Sequence, residues 1–244
     1  MILGIIPARY ASTRLPGKPL LDIAGKSMIQ RVYEQCLKCD SLTDVIIATD
    51  DQRIADHAHT FGAQVVLTST EHQSGTDRCA EAVSKLQDKY SVVINIQGDE
   101  PFIDPEQINT LIRCFDDSRV NIASLYKQLP REQDAQFPNV VKVVLNQMGN
   151  ALYFSRSVIP YRRSPDASIN YYKHIGLYGY RTDTLLELTR LKPTMLEMAE
   201  SLEQLRWLES GYSIRMCETH LETLSIDTPN DLLLVEKYLK SSSE

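Results

Sequence analysis

The chain has 244 residues, of which 43% are hydrophobic and 24% are charged, enough for one large α/β domain or two small ones and too apolar for an intrinsically disordered protein. The 26 basic and 32 acidic residues give a formal net charge of −6, which argues against a general nucleic-acid-binding surface. No apolar run approaches the roughly 20 residues of a membrane helix, and the first residues have a strand pattern rather than that of a signal peptide. We therefore expect a cytoplasmic protein that binds neither membranes nor nucleic acids.

Apolar strands alternate with helical patterns through the first half of the chain. Strands are predicted at residues 1–6, 45–49, 65–67 and 92–96. Ser27 with Gln30 forms a capping box at the start of the first helix, Gly62 ends the second, Thr76 caps the third, and Asp104 caps the fourth. This alternation is typical of an α/β fold with a mostly parallel sheet and crossover helices.

The second half of the chain contains several strand patterns without regularly alternating helices. Strands are predicted at residues 122–125, 140–145, 151–154 and 175–180, with a hairpin turn at 147–150 and a loop at 161–170. A helix follows from about residue 196 to residue 210, and Thr228 begins the last helix. We interpret residues 1–244 as a single domain with a strand-rich insert at about residues 121–180.

The five cysteines, at positions 36, 39, 79, 114 and 217, have no framework spacing. We expect all five to be reduced thiols. Cys36 and Cys39 form a C-x-x-C pair, but a structural zinc site needs a second pair of ligands, which the sequence lacks. Buried or helix-end cysteines are the favoured interpretation.

A cationic loop follows the first strand directly. Residues 7–19 contain Arg9, Arg14 and Lys18 and no carboxylate. Open α/β sheets bind their ligands at the carboxyl ends of the strands, so the loop predicts a polyphosphate site. Neither G-x-x-x-x-G-K-[ST] nor G-x-G-x-x-G is present, which leaves side-chain cations and backbone amides to bind the phosphates.

Two acidic residues follow predicted strands. Asp99, in Gln97-Gly98-Asp99-Glu100-Pro101, fits a Mg²⁺ ligand, although an ordinary acidic turn is equally compatible with its spacing. Asp227 precedes Thr228 and Pro229, and helix capping alone is the favoured interpretation of this segment from spacing.

Three further segments contain polar residues whose spacing is compatible with either a structural role or ligand binding. Ser74, Gly75 and Arg78 lie at a helix start, where backbone amides suit a phosphate or a nucleobase edge. His174 and Tyr178 share one face of a strand, where a core role is more common than ligand binding. Glu203 and Gln204 have the pattern of surface polar residues on a helix.

Taken together, these segments closely resemble the 3-deoxy-manno-octulosonate (Kdo) cytidylyltransferases, the CMP-Kdo synthetases. The resemblance spans almost the whole chain and rests on seven motifs in one order, at residues 6–19, 72–78, 97–101, 151–156, 174–178, 202–206 and 226–229. It implies a Rossmann-like, three-layer fold of the nucleotide-diphospho-sugar transferase type, and a homodimer formed through the strand-rich insert. Ser225 departs from the glycine that is frequent before the Ile-Asp pair in relatives.

The resemblance also implies a role for each matching residue. The implied catalytic set is Arg9, Arg14, Lys18, Asp99 and Asp227, and the two aspartates in it are the Mg²⁺ ligands. CTP would be bound by Pro7, Ala8, Arg9, Arg14, Lys18, Ser74, Gly75, Arg78 and Gln97. The sugar acid would be bound by Gln97, Arg156, His174, Tyr178, Glu203 and Gln204.

The implied reaction is an attack of the anomeric hydroxyl of Kdo on the α-phosphorus of CTP, which releases pyrophosphate and makes CMP-Kdo for lipopolysaccharide biosynthesis. Positioning and charge neutralisation, with Mg²⁺, supply most of the catalysis in such a transfer. Two alternatives stay open: a cytidylyltransferase for another acidic sugar, such as sialic acid or an amino-substituted Kdo, and a binding module that has the fold without the reaction.

Overall fold

The computed structural model describes residues 1–11, 15–164, 166, 168–222, 225–226, 231–232 and 235. The chain divides into two compact units. The first comprises Met1–Asn109 with Glu222–Glu244, and the second comprises Thr110–Leu221. Each unit is described by itself below.

A parallel sheet forms the centre of the first unit. Its strands are β1 (Ile2–Ala8), β4 (Asp44–Thr49), β5 (Gln64–Leu67) and β6 (Val92–Asn95), in the order β6-β1-β4-β5. A two-stranded hairpin of β2 (Asp22–Ile23) and β3 (Lys26–Ser27) lies outside this sheet. Because β1 is central and carries almost no polar side chain, its residues Leu3, Ile5 and Ile6 are fully buried.

Four helices connect these strands or follow them: α1 (Met28–Cys36), α2 (Gln52–Thr60), α3 (Gly75–Lys85) and α4 (Pro105–Arg113). The predicted cap of α1 is confirmed, because the Ser27 hydroxyl accepts a hydrogen bond from the Gln30 amide at 3.3 Å. Asp104 caps α4 as predicted, since its carboxylate accepts the Glu106 amide at 2.8 Å. Gly62 has a φ of 77°, the left-handed conformation expected after the end of α2.

The second unit contains β7 (Ile122–Gln128), β8 (Lys142–Leu145), β9 (Ala151–Ser155), β10 (Tyr172–Arg181) and β11 (Ile214–Glu218). β7 pairs antiparallel with β10 and parallel with β11, and β8 pairs antiparallel with β9 and β10. A bulge in β10 places Ile175 opposite Leu125 and Tyr178 opposite Ser124. Three short helices complete the unit: α5 (Thr182–Leu188), α6 (Met195–Glu200) and α7 (Gln204–Glu209).

Two predicted helix boundaries are wrong. The cap of α3 is Ser74 rather than Thr76, because the Ser74 hydroxyl accepts the Asp77 amide at 3.1 Å. The helix predicted over about residues 196–210 is two helices, because Ser201 adopts a left-handed conformation with a φ of 51° and ends α6. The helix predicted from Thr228 begins outside the described residues.

The cysteine prediction is wrong for one pair. Cys114 and Cys217 are joined by a disulfide, although 103 residues separate them in sequence. The fold brings the short 3₁₀ turn Cys114–Asp116 beside β11, which no sequence spacing reveals. Cys36, Cys39 and Cys79 are buried thiols outside any disulfide, as expected of core cysteines.

Candidate active site

A cavity of about 270 Å³ opens in the first unit at the carboxyl ends of β1 and β6, where a nucleotide was predicted. Cationic side chains of Arg9, Lys18 and Arg78 and the carboxylate of Asp99 lie on its walls. The full lining is Pro7, Ala8, Arg9, Lys18, Pro19, His72, Gln73, Ser74, Gly75, Arg78, Gln97, Gly98 and Asp99. All the described residues predicted to bind CTP therefore lie around one cavity.

Lys18 and Asp99 form an ion pair in this cavity. The Lys18 Nζ donates a hydrogen bond to the Asp99 carboxylate at 2.8 Å, and the two side chains are 13% and 32% exposed. Lys18 begins a 3₁₀ turn after Gly17, which has a φ of 69° and packs against the ring of Tyr10. The left-handed glycine turns the chain so that the lysine points back toward the end of β6.

Gly98 allows the ends of β1 and β6 to approach each other closely. A Cβ atom at this position would lie 2.9 Å from the carbonyl oxygen of Pro7, which is a backbone atom and has little room to move. Only glycine fits here without displacing the chain. The position of Asp99 relative to the cationic loop is thus determined by backbone contact.

The start of α3 forms another wall of the cavity. The Ser74 hydroxyl caps the helix and donates to the Asp77 carboxylate at 2.9 Å. Arg78 is almost fully buried, and its guanidinium donates to the Thr68 hydroxyl at 2.5 Å and to the Asp50 carboxylate at 3.2 Å. These contacts hold the loop before α3 in place, so Arg78 both lines the cavity and braces it.

His72 lines the same cavity and was not singled out as a site residue from the sequence. Its Nε2 contacts the carboxylate of Glu81 in the middle of α3. Burial of Glu81 is outweighed by hydrogen bonds from Lys85, Ser69 and His72, which lower its pKa to about 2. Glu81 therefore stays ionised and orients the imidazole. In the sequence, this pair is indicated by a histidine shortly before the helix cap and a glutamate within the helix.

The second unit contains an aromatic cluster around His174. The His174 ring lies 4.9 Å from that of Phe154 and 5.4 Å from that of Tyr178, and Tyr178 packs edge-on against Trp207 at 5.2 Å. Burial, with a smaller contribution from Lys173, lowers the pKa of His174 to about 3. The imidazole is therefore neutral at physiological pH.

Tyr178, Glu203 and Gln204 belong to the same neighbourhood. Burial and then the negative charge of Glu203 raise the pKa of Tyr178 above its ordinary value, so the phenol stays protonated. Gln204 begins α7 and is only 5% exposed. The surface role that the sequence pattern favoured for Gln204 is therefore wrong, because the helix turns this residue inward.

Arg156 follows β9 and is held by backbone carbonyls. Its guanidinium donates to the carbonyl of Glu200 at 2.7 Å, of Pro138 at 3.2 Å and of Ser201 at 3.4 Å. A guanidinium has five N–H donors, so two have no partner among the residues that the structure describes and are available to a ligand. The side chain is thus fixed in one orientation by the segment that ends α6.

Two predicted residues, Arg14 and Asp227, lie outside the described residues. The residue before Asp227 is described: the Ile226 amide donates to the Asp99 carbonyl at 3.0 Å. Among the described residues, no group of three or more His, Cys, Asp or Glu side chains is arranged to hold a metal ion. No helix in the described part of the chain is long and apolar enough to cross a membrane.

Comparison with known proteins identifies the family. A sequence model of the family described as "Cytidylyltransferase" matches residues 3–231. The chain is 55% identical to the 3-deoxy-manno-octulosonate cytidylyltransferase of Parabacteroides distasonis, over 94% of each chain. It is 53% identical to the enzyme of that name in Bacteroides thetaiotaomicron, over 99% of each chain. The chain belongs to the 3-deoxy-manno-octulosonate cytidylyltransferase family. It is therefore a nucleotidyltransferase, as predicted.

Solved structures agree with this membership. This cytidylyltransferase superimposes on the structure of CMP:2-keto-3-deoxy-manno-octonic acid synthetase complexed with CTP with a TM-score of 0.93, at 43% identity and over 99% of both chains. The 4-diphosphocytidyl-2C-methyl-D-erythritol synthase of Anaerococcus prevotii shares only the fold, with a TM-score of 0.64 at 12% identity. The predicted α/β fold with a mostly parallel central sheet is confirmed.

Proposed function

We propose that this enzyme transfers CMP from CTP to the anomeric hydroxyl of Kdo and releases pyrophosphate. The observation that carries the proposal is the cavity at the ends of β1 and β6, where cations and one carboxylate meet in a chain about half identical to Kdo cytidylyltransferases. A new bond forms between the sugar oxygen and the α-phosphorus, and the bond from the α-phosphorus to the bridging oxygen breaks. The hydroxyl proton is released to solvent.

The described residues of the cavity would bind and orient CTP. Arg9 and Lys18 would contact the phosphates, because both are cations at the mouth of a strand-end cavity. Ser74 and Gly75, at the start of α3, would present backbone amides to the nucleotide. Charge neutralisation on the departing pyrophosphate is then the main contribution of the two cations. Arg14 is proposed for the same role from the sequence alone.

The chemistry of Asp99 fits a magnesium ion. Mg²⁺ prefers hard oxygen ligands, and it is usually bound through one or two carboxylates together with substrate phosphates. Asp99 offers a carboxylate beside the predicted phosphate position, and Ile226, the neighbour of Asp227 in sequence, is hydrogen-bonded to its main chain. Asp99 and Asp227 would hold the ion, which when bound would polarise the phosphate oxygens and offset their charge.

The sugar acid would be bound by the polar residues of the second unit. The neutral imidazole of His174 and the phenol of Tyr178 offer hydrogen bonds to hydroxyl groups, and Arg156 has two N–H donors left for the carboxylate. Gln97, which lines the nucleotide cavity, is proposed for both substrates. A homodimer, a cytoplasmic location and a place in lipopolysaccharide biosynthesis are further proposals that rest on the family resemblance.

Release of pyrophosphate from CTP tests the proposal. Purified enzyme with Mg²⁺ and Kdo should release pyrophosphate, and Asp99→Asn should lower kcat by at least about 100-fold while thermal stability changes little, since one oriented charge in an active site is worth several kcal/mol. Asp40→Asn, at an exposed position after α1, is the matched control. Near-normal turnover of Asp99→Asn at saturating Mg²⁺ would refute the role of Asp99.

The sugar acid is tested by substitution of the acceptor. Kdo, an amino-substituted Kdo and sialic acid are compared at equal concentration by the rate of pyrophosphate release. A higher kcat/KM for Kdo is the expected result. A higher value for either other acid would replace Kdo in the proposal, and no release with any of them would favour a binding module without the reaction.

A further inference from the structure

Ser124 occupies an unusual position on β7, opposite the bulge in β10. It is completely buried, and its hydroxyl oxygen lies 3.1 Å from the carbonyl oxygen of Ile175 and 3.0 Å from that of Leu177. The same oxygen lies 3.0 Å from Nε2 of His174. Three polar atoms of β10 thus converge on one hydroxyl.

The proton count decides how these contacts are made. A serine hydroxyl has one proton to donate, and a carbonyl oxygen can only accept. If that proton were directed to His174, both carbonyl oxygens would face the Ser124 oxygen without a proton between them. If it is directed to the carbonyls, His174 must donate its Nε2 proton to the hydroxyl oxygen. In this second arrangement the proton is donated to one carbonyl oxygen or shared between the two, and the hydroxyl oxygen accepts from His174. It leaves fewer polar groups unsatisfied than the first arrangement and is therefore the stable one.

The opposite side of the His174 ring remains open. The side chain is half-buried, and Nδ1 has no hydrogen-bond partner in the part of the chain that the structure describes. Because the ring is neutral, one nitrogen carries the proton and the other carries a lone pair. With the proton on Nε2, Nδ1 is an acceptor for a ligand.

We propose that Ser124 is a positioning residue that holds His174 in the Nε2–H tautomer, so that Nδ1 accepts a hydrogen bond from a hydroxyl group of the sugar-acid substrate. This inference rests on the proposed function for the identity of the substrate. The tautomer itself depends only on the contacts between β7 and β10. Ser124 lies outside every motif that identified the site in the sequence.

The tautomer is measured directly by nitrogen NMR. Protein labelled with ¹⁵N-histidine is recorded in a two-dimensional ¹H–¹⁵N correlation at neutral pH, and His174→Gln assigns the signal. The unprotonated nitrogen should be Nδ1 and the protonated one Nε2. A ring with the proton on Nδ1 in the unmodified protein would overturn the proposal, and this measurement needs no activity.

Substitution of Ser124 tests its effect on the sugar. Ser124→Ala should give a mixture of tautomers and raise KM for Kdo about threefold to tenfold, the size of one ordinary hydrogen bond, with KM for CTP unchanged. Ser124→Thr keeps the hydroxyl and should retain the Nε2–H tautomer. Ser27→Ala is the matched control, because Ser27 also contacts a histidine Nε2 at 2.7 Å but lies at the N-terminal cap of α1 in the first unit.

The possible outcomes distinguish the positioning role of Ser124 from the identity of the substrate. If Ser124→Ala keeps both the tautomer and the KM for Kdo, Ser124 does not position His174 and the proposal is wrong. If the unmodified enzyme shows the Nε2–H tautomer but transfers CMP to no sugar acid, the proposed function fails while the assignment of the tautomer stands. A higher KM for Kdo in Ser27→Ala would show that loss of any buried hydroxyl has this effect, and would also overturn the proposal.

Discussion

Acidification should destabilise this protein through His174 at a pH well above that of ordinary acid denaturation. Burial lowers the pKa of His174 to about 3, from an ordinary value of 6.5. When folding lowers the pKa of a histidine, the native state has its full stability at pH values above the pKa that this histidine has in the unfolded chain. That stability is lost as the pH falls, because the unfolded chain then binds a proton that the native protein does not.

The magnitude follows from the two pKa values. At pH 5 the unfolded histidine is almost fully protonated, while the native imidazole is still neutral. The distance from 6.5 to pH 5 is 1.5 units, and at about 1.36 kcal/mol per unit the loss is about 2 kcal/mol relative to pH 7 or above. Because pH 5 lies well above the native pKa, this figure is insensitive to that value and depends on the unfolded one.

Urea denaturation at pH 7 and pH 5 measures the effect at a fixed protein concentration. His174→Gln removes the titrating group, so the variant should lose about 2 kcal/mol less than the unmodified protein between the two pH values. Comparing the loss of unfolding free energy between pH 7 and pH 5 in the two proteins cancels the contributions of other titrating groups and of the packing that the substitution removes. His59→Gln, at an exposed position on α2, is the matched control substitution. An equal loss in His174→Gln and the unmodified protein would refute the burial argument.

Three other substitutions have definite expected outcomes. Gly98→Ala places a Cβ atom 2.9 Å from the Pro7 carbonyl oxygen, so it should lower the free energy of unfolding by about 1–3 kcal/mol and raise KM for CTP, as measured by urea denaturation and steady-state kinetics. Glu197→Gln removes a carboxylate that pairs with Arg206 at 2.5 Å, where both side chains are at most 14% exposed, and should cost about 3 kcal/mol by the same denaturation assay. Lys18→Met should raise KM for CTP at least about tenfold, because the proposed hydrogen bond from the lysine ammonium to a phosphate is lost.

Two controls accompany these substitutions. Asp134→Asn breaks an ion pair with Arg131, whose side chain is 73% exposed, and should cost less than about 1 kcal/mol. Lys38→Met removes an exposed lysine and should leave KM for CTP unchanged. If Glu197→Gln lowered the free energy of unfolding no more than Asp134→Asn does, the argument from burial of the ion pair would be contradicted. If Lys18→Met left KM for CTP unchanged, as Lys38→Met should, the proposed phosphate contact would be contradicted. An unchanged free energy of unfolding and an unchanged KM for CTP in Gly98→Ala would show that the two strand ends can separate.

The sequence predicts those elements that depend on contacts between residues close together in the chain. Ser27 with Gln30 predicted the start of α1, because the capping hydrogen bond joins residues three apart. At α3 two residues could cap the helix, and the choice between Ser74 and Thr76 depends on which hydroxyl reaches a free amide. β11 has an alternating apolar pattern that was not recognised as a strand, because its segment is short and follows a helix.

Contacts between distant segments could not be predicted in this way. The cationic loop and Asp99 were expected at one sheet edge from strand order alone, and the cavity brings them together. The pairing of Cys114 with Cys217, the bracing of Arg78 by Asp50, and the contact of Ser124 with His174 join residues 103, 28 and 50 positions apart. None has a periodicity or a motif, since each arises from the packing of two elements.

The bulge in β10 explains why His174 and Tyr178 touch at all. In a regular strand, residues four apart lie about 13 Å apart along the chain direction. Here they pair with Tyr126 and Ser124, only two residues apart on β7, because Gly176 and Leu177 are extra. An even number of added residues keeps both side chains on one face, so the inside–outside alternation of the strand is unchanged. The insertion folds a length of strand out of the ladder and brings the two side chains proposed to bind the sugar acid together, while the hydrophobic pattern of the strand is unchanged.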